Sequence, residues 1–206
     1  MRVNQKKTQL LCVSANTTSN VTSYIKTGNT KICSTDELKI LGFKFGSSPS
    51  VKPHVDYMIS KAQKRLWTIR HAKKSGMSEN DLLKLFNSVI RPVLEYAAPV
   101  FHPMLNLGMR DSIERIQKRA CKIIYGWNSD YDKLIDAGKI VTLEKRREKL
   151  TIDFALKCKN SARFGGWFEE KERTNLRKSL SINEEFAKTE RLKNSRLFYM
   201  LSLIHI

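Results

Sequence analysis

The hydrophobic pattern changes its period near Pro53, and this change constrains the fold more than any other feature of the sequence. Upstream of it, short apolar runs such as TQLLCVS and LKILGFKF predict β-strands. Gly28-Asn29, between two further runs, predicts a hairpin turn. Downstream, apolar residues recur every three or four positions, which predicts amphipathic helices. The sequence therefore predicts an α+β fold, in which a small antiparallel β region precedes a mainly α-helical bundle.

Four helices are predicted after Pro53, and each has one apolar side. Gly76 and Gly126 predict the ends of the first and third helices. Ser78 with Asp81 three positions later resembles a capping box and predicts the start of the second. The apolar positions are, helix by helix, Val55, Ile59, Ala62, Leu66 and Ile69; Leu82, Phe86, Val89 and Val93; Ile113, Ile116, Ala120, Ile123 and Ile124; and Leu143, Leu150, Phe154 and Cys158.

Prolines interrupt the second predicted helix. Pro92 removes one backbone hydrogen bond and crowds the carbonyl of Ser88, so the helix is predicted to bend there. Pro99 and Pro103 are expected to end the helix and to force an extended turn through residues 101–102. A bend between packed helices is a requirement of shape and does not indicate catalysis.

The sequence contains no recognisable catalytic or metal-binding motif. Glu95 lies in an apolar stretch and could be a perturbed acid, but a capping or salt-bridging carboxylate is the commoner outcome. The four histidines are not spaced for a metal and are expected at the surface or at helix ends. Two-metal chemistry needs neighbouring carboxylates, whereas the first 50 residues contain only Asp36 and Glu37. We therefore expect no cofactor and no metal in this chain.

The spacing of the cysteines and the lengths of the apolar runs indicate the cellular compartment of the protein. Four cysteines lie far apart without a C-x-x-C pair, which argues against a zinc site and against a secreted disulfide framework. No apolar run approaches the roughly 20 residues that a membrane span needs. The first 14 residues are too polar for a secretory signal. An intracellular protein, nuclear or cytoplasmic and without a membrane partner, is expected.

Positive charge is the strongest functional signal. The formal net charge is +18, from 38 Lys and Arg against 20 Asp and Glu, and this favours nucleic acid as a partner. The basic residues of the first and third helices lie opposite the apolar side and are predicted to contact nucleic acid: Lys61, Lys64, Arg65, Arg115, Lys118, Arg119 and Lys122. Those of the fourth helix are predicted to point mostly outward: Lys145, Arg146, Arg147 and Lys149. Four aromatic residues could stack on bases, although core packing is the commoner role: Tyr57, Trp67, Tyr125 and Trp127.

Five segments, in this order, resemble the reverse transcriptases of non-LTR retrotransposons, most closely those of jockey-like and CR1-like elements: VNQKKTQLL, LKILGFKF, VIRPVLEYAAPVFHP, IERIQKRACKIIYG and TLEKRREKL. The resemblance covers about residues 3–168. It implies that residues 1–50 are the end of a polymerase palm with β-hairpins and that residues 53–127 are a thumb-like helical bundle. Residues 128–169 would be a helical extension, and residues 170–206 are expected to be a weakly ordered charged tail.

The resemblance also implies roles for particular residues. Asn4, Lys7 and Thr8 match the palm segment N-x-x-K-T, and Leu41, Gly42 and Phe43 resemble the primer-grip hairpin. The thumb signature is matched by Arg91, Pro92, Glu95, Tyr96, His102 and Pro103, within which we expect a buried Arg91–Glu95 ion pair. The metal-binding aspartates of the family precede N-x-x-K-T and are expected to be absent here, so Mg²⁺ would serve only the intact polymerase. The implied partners are an RNA/DNA template–primer and the remainder of the polymerase, its upstream palm and fingers.

Two alternatives to an inactive polymerase fragment remain open. One is a stand-alone helical protein retained for nucleic-acid binding without enzymatic activity. An in-frame Ala-Asp-Asp-like strand encoded just upstream of Met1 would favour the fragment over this reading. The other is a non-functional product that folds poorly, which a cooperative thermal melt followed by circular dichroism would contradict.

Overall fold

The computed structural model describes residue 4 and residues 7–13, 23–27 and 30–168. They form an α+β fold in which two small antiparallel hairpins precede mostly helical segments, as predicted. The chain divides into two compact units, Met1–Lys61 and Ala62–Ile206. The boundary between the units lies inside a helix. The charged tail, residues 170–206, lies outside the described residues.

Each hairpin is a separate two-stranded sheet. β1 (Tyr24–Thr27) pairs with β2 (Thr30–Cys33), and Thr27 lies opposite Thr30. The predicted turn residues 28–29 lie outside the described residues. β3 (Glu37–Ile40) pairs with β4 (Phe43–Gly46). The strand predicted for TQLLCVS is reduced, within residues 8–13, to one isolated bridge from Leu10 to Ser34.

A two-residue turn divides LKILGFKF into two strands. The alternation of apolar residues did not predict this turn, whereas the resemblance to a primer-grip hairpin implied one. Leu41 and Gly42 both have positive φ, 48° and 87°, which is the combination that a type I′ hairpin turn requires. Gly42 adopts this conformation at no steric cost, whereas Leu41 is strained. The side chain of Leu41 is 88% exposed at the tip of the hairpin.

The first unit has a small core built around an aromatic stack. Phe43 of β4 lies over His54, with ring centroids 3.9 Å apart. The backbone N–H of Lys44 donates to His54 Nδ1 at 3.4 Å. Val55 and Met58 are also buried here. His54 is thus a core residue in the first turn of the helix Lys52–Lys74, so it lies at a helix end, one of the two expected locations, but not at the surface.

The helices after the hairpins are the following, in chain order: α1 (Lys52–Lys74), α2 (Glu79–Leu85), a π-helical segment (Phe86–Ile90), α3 (Arg91–Glu95), α4 (Ala98–Phe101), a 3₁₀ turn (His102–Met104), α5 (Leu107–Tyr125), α6 (Tyr131–Asp136), α7 (Leu143–Lys159) and a second 3₁₀ turn (Gly165–Phe168). Side-chain caps explain where several begin. The Ser78 hydroxyl accepts from the Asp81 N–H before α2, and the Asn106 side chain accepts from the Met109 N–H before α5. Gly126, with φ at 101°, ends α5 as predicted.

Pro92 acts on its helix through a π-helical turn. It has no N–H, and its ring would crowd the carbonyl four residues earlier in a regular α-helix. The structure has a π-helical segment immediately before it, in which the Arg91 N–H donates to the Phe86 carbonyl five residues back. A π-helical turn bonds residues five apart, whereas an α-helical turn bonds residues four apart. The side chains that follow it are therefore rotated about the helix axis. The buried row therefore follows a spacing of four: Leu82, Phe86, Ile90, Leu94 and Ala98. Val89 and Val93, predicted to be buried, are half-buried.

The other two prolines begin helical turns and do not end one. The chain leaves α3 through Tyr96, which is extended, and Ala97, which is left-handed with φ at 57°. Pro99 and Pro103 then occupy first-turn positions of α4 and of the 3₁₀ turn, where a missing N–H costs nothing. The predicted extended turn through residues 101–102 was therefore wrong, because both residues are helical.

Candidate nucleic-acid interface

Helix α5 carries the clearest one-sided basic surface. Its predicted apolar positions are all buried, from Ile113 to Ile124. The four basic residues predicted opposite them are all exposed: Arg115, Lys118, Arg119 and Lys122. Their spacing places them on one face, which we call the α5 basic face, over about 10 Å of the helix axis. Within the described part of the chain none of the four forms an ion pair with a carboxylate. Their charge therefore remains available to a polyanion.

Helix α1 contributes fewer free cations than expected. Lys61 and Lys64 are exposed, but Arg65 is half-buried. Its Nη1 donates to the carbonyl of Val89 at 2.6 Å. The placement of Arg65 on the outer basic side was therefore wrong, because its guanidinium links α1 to the π-helical segment. Lys73 makes a comparable link, since its Nζ donates to the carbonyls of Ile123 and Ile124, at 2.6 and 2.9 Å, in the last turn of α5.

A second basic cluster, in the first unit, surrounds Tyr57. Lys39 Nζ donates to the Tyr57 hydroxyl oxygen at 3.0 Å, and the ammonium groups of Lys39, Lys44 and Lys61 lie 4.9, 5.4 and 5.9 Å from the ring centroid. The hydrogen bond from Lys39, followed by the lysine charges, lowers the pKa of Tyr57. Lys39 and Lys44 were not among the residues predicted to contact nucleic acid. Their positions were the available signal. Each lies two residues from the β3–β4 turn, so the hairpin places the two lysines opposite each other.

The primer-grip-like and palm-like residues belong to the same unit. Leu41 and Gly42 form the hairpin turn, and Phe43 is buried against His54. In the palm-like segment, the Asn4 carbonyl accepts from the Lys7 N–H at 3.1 Å and from the Thr8 hydroxyl at 2.9 Å. This local turn brings the three matched residues together, and all three are exposed.

The thumb-signature carboxylate has a different main partner from the one expected. The side chain of Glu95 is 12% exposed. Its Oε1 accepts a hydrogen bond from Arg146 Nε at 2.5 Å, and its Oε2 accepts one from Arg146 Nη2 at 3.2 Å. Arg91 Nε is 3.9 Å from Glu95 Oε1. The expected Arg91–Glu95 ion pair is therefore present, but Arg146 is the closer partner, because its guanidinium plane engages both carboxylate oxygens. Burial and the charge of Arg146 lower the pKa of Arg91. Glu95 is thus a salt-bridging residue that links α3 to α7.

The other thumb-signature residues divide between the surface and the core. Pro92 is exposed and Tyr96 is largely exposed, whereas Pro103 is buried. His102 is 2% exposed and lies where α4 ends and the 3₁₀ turn begins, so of the two expected locations, the surface and a helix end, it occupies a helix end. Burial, with smaller effects from the charges of Arg147 and Arg110, lowers the pKa of His102 to about 4. The imidazole is therefore neutral at pH 7.

Helix α7 has its faces arranged differently from the prediction. Arg147 is 0% exposed, whereas Phe154 is largely exposed and Leu150 is half-buried. Among the described residues, none accepts a hydrogen bond from Arg147 Nε, Nη1 or Nη2. Burial lowers the pKa of Arg147, while the charges of Glu114 and Glu144 act in the opposite direction. The buried row of α7 is Leu143, Arg147, Thr151, Ala155 and Cys158.

Replacing Arg147 by methionine is expected to raise the free energy of unfolding by about 1–4 kcal/mol, because a buried cation without a hydrogen-bond acceptor costs more than an apolar side chain of similar length. Urea denaturation measures this change. Arg147→Ala is the matched control: it removes the same charge but leaves a cavity, and so it should be less stable than Arg147→Met. An Arg147→Met protein well below wild type in stability would contradict the inference that this guanidinium lacks an acceptor.

Over the described residues, no group of three or more His, Cys, Asp or Glu side chains could hold a metal ion. No helix in the same residues is long and apolar enough to cross a membrane. The described cysteines, at positions 12, 33, 121 and 158, are all free thiols.

Comparisons with known proteins identify no relative of this chain. No protein-family model, no curated protein and no solved structure matches it.

Proposed function

We propose that this chain is part of the reverse transcriptase of a non-LTR retrotransposon, comprising the end of the palm and a thumb-like bundle, and that it binds template–primer nucleic acid. The α5 basic face is the observation that carries the binding proposal. Four exposed cations on one face, opposite a continuous apolar face, suit the regularly spaced phosphates of a duplex, which present one charge per roughly 3.4 Å of axis on each strand. The net charge of +18 supports the same partner.

The Tyr57 cluster supports the same proposal from the first unit. Lysines 39 and 61 offer positive charge beside an aromatic ring, while Glu37 compensates Lys44 at 2.6 Å. Rings flanked by cations commonly contact nucleic acid by stacking and by phosphate pairing. The Lys39–Lys44 pair flanks the turn that resembles a primer grip. We therefore propose that this hairpin approaches a nucleic-acid backbone.

We further propose that the chain does not polymerise by itself. No acidic residue occurs before Asp36, so residues 1–35 supply no carboxylate pair for two metal ions. Purified protein with Mg²⁺, deoxynucleotides and a primed RNA template should give no extension product. It should nevertheless bind the primed template, with log affinity falling linearly as log salt rises. Processive synthesis would contradict the proposed inactivity, and failure to bind at about 50 mM salt would contradict the proposed binding.

A further inference from the structure

A small cavity in the second unit has an apolar floor and a cationic rim. Its volume is about 110 Å³, and it lies between α2, the π-helical segment, α5 and residues 139–141. Phe86, Ala120, Ile124 and Ile140 contribute to the floor, and all four are buried. The space is that of about four liquid-phase waters. It suits a body of a few carbon atoms better than it suits a nucleotide.

The rim of the cavity carries more positive charge than its carboxylate compensates. Arg91, Arg146 and Lys139 also line the cavity, and unlike the buried floor residues they are half-buried or exposed. Glu95 gives both of its oxygens to Arg146, at 2.5 and 3.2 Å. Arg91 is left with a single contact to that carboxylate at 3.9 Å, which is too long for a hydrogen bond. Lys139 forms no ion pair with a described carboxylate, but it is exposed to solvent. The Arg91 guanidinium is therefore the half-buried rim cation that lacks a well-matched anion.

Residues 139–141 form one wall of the cavity, and the buried side-chain amide of Gln117 holds this wall in place. Gln117 is buried, and its Nε2 donates to the Tyr131 hydroxyl at 2.8 Å and to the Val141 carbonyl at 2.9 Å. The Tyr131 hydroxyl in turn donates to Glu114. A wall held by these bonds is preformed, so a ligand would not have to order it.

We infer that this cavity is a binding site for a small organic monocarboxylate. The carboxylate would accept two hydrogen bonds from the Arg91 guanidinium, and its short hydrocarbon body would cover the apolar floor. A monoanion matches the one uncompensated guanidinium, whereas a dianion would cost more to bury against that floor. This inference is independent of the proposed nucleic-acid binding, which uses the α5 basic face.

Isovalerate is the probe, and isovaleramide, its neutral isostere, is the control. Isothermal titration should give a dissociation constant for isovalerate on the order of 1 mM or tighter. Isovaleramide should bind at least tenfold more weakly, because it cannot pair with Arg91. Methyl resonances of Ile124 and Ile140 should shift with isovalerate, which locates the ligand. Inorganic phosphate, which has no hydrocarbon body, should not shift them.

Two variants complete the test. Arg91→Gln should weaken isovalerate binding at least tenfold. Arg91→Lys keeps the charge but loses the planar fork, so it should weaken binding by a smaller factor and serves as the second variant should Arg91→Gln fold poorly. Any one of three results would overturn the inference. The first is equal binding of isovalerate and isovaleramide, and the second is unchanged isovalerate affinity in Arg91→Lys. The third is the absence of a methyl shift at an isovalerate concentration of roughly fifty times the expected dissociation constant.

Discussion

Replacing all four residues of the α5 basic face by alanine is expected to weaken template–primer binding more than any other set of surface changes. Each phosphate contact that is lost should reduce the slope of log affinity against log salt by about one unit, and so by up to about four units for the whole set. The four side chains are exposed, and alanine is a good helix former, so the fold should be retained. Fluorescence anisotropy with a labelled primed duplex over a salt series measures the slope.

The matched control removes the same number of positive charges elsewhere. Four exposed lysines on α1, α2, α6 and α7 serve this purpose: Lys74, Lys84, Lys133 and Lys157. Their replacement by alanine should reduce the slope by about one unit or less, since scattered charges act only through the general field of the protein. Equal slopes for the two quadruple variants would exclude the α5 basic face as the contact surface and would leave net charge alone as the cause of binding.

Stability is expected to fall by about 3 kcal/mol between pH 6.5 and pH 4 through His102 alone. The pKa of His102 is about 4 in the folded protein, against an ordinary value of 6.5. In this window the unfolded chain binds a proton that the folded chain does not, so acidification favours unfolding, by about 1.4 kcal/mol per pH unit. The contribution is fully present above pH 6.5 and is lost by about pH 4. Arg147 and Arg110 add to this effect through their charges, whereas Glu144 opposes it.

Urea denaturation of wild type and of His102→Gln at several pH values isolates this contribution, because other acid-sensitive groups are common to both proteins. The difference in free energy of unfolding should change by about 3 kcal/mol across the window. A constant difference between wild type and His102→Gln would show that His102 does not stay neutral in the folded state. Arg147→Met should reduce the pH dependence, since it removes one of the charges that disfavour the imidazolium.

The sequence predicted best where the answer depends on local spacing. Helix α5 shows this most clearly, because its apolar and basic positions repeat at the helical period over about three turns, and each lies on the predicted side. The caps at Ser78 and the end at Gly126 are equally local, since a side-chain hydrogen bond and a positive φ involve only neighbouring residues. The α+β order of the chain follows from the change of period near Pro53.

Two failures of prediction were local, the turn at residues 41–42 and the helical conformation of residues 101–102. The others concern long-range choices. Helix α7 has apolar and charged residues on several sides, so its periodicity did not determine which side would be buried. Arg147 was placed outside and is buried, whereas Phe154 was placed inside and is largely exposed. The pattern placed Arg146 at the surface, yet its guanidinium donates a hydrogen bond to Glu95, which lies 51 positions earlier in the chain. Arg65 was likewise assigned to the solvent side, although it donates to a carbonyl 24 positions later.

By itself the sequence determined the positions of the main helices, the charge of the chain and the sidedness of α5, because these depend on backbone hydrogen bonding and on a period that neighbouring residues share. Only the tertiary structure decided which arginines are free to meet a partner and which are tied to carbonyls, to Glu95 or inside the core. The physical reason is that a guanidinium on a long side chain can reach several elements, and its fate depends on which element packs beside it. The cavity beneath Arg91 arises in the same way, from helices brought together in space by residues far apart in the chain.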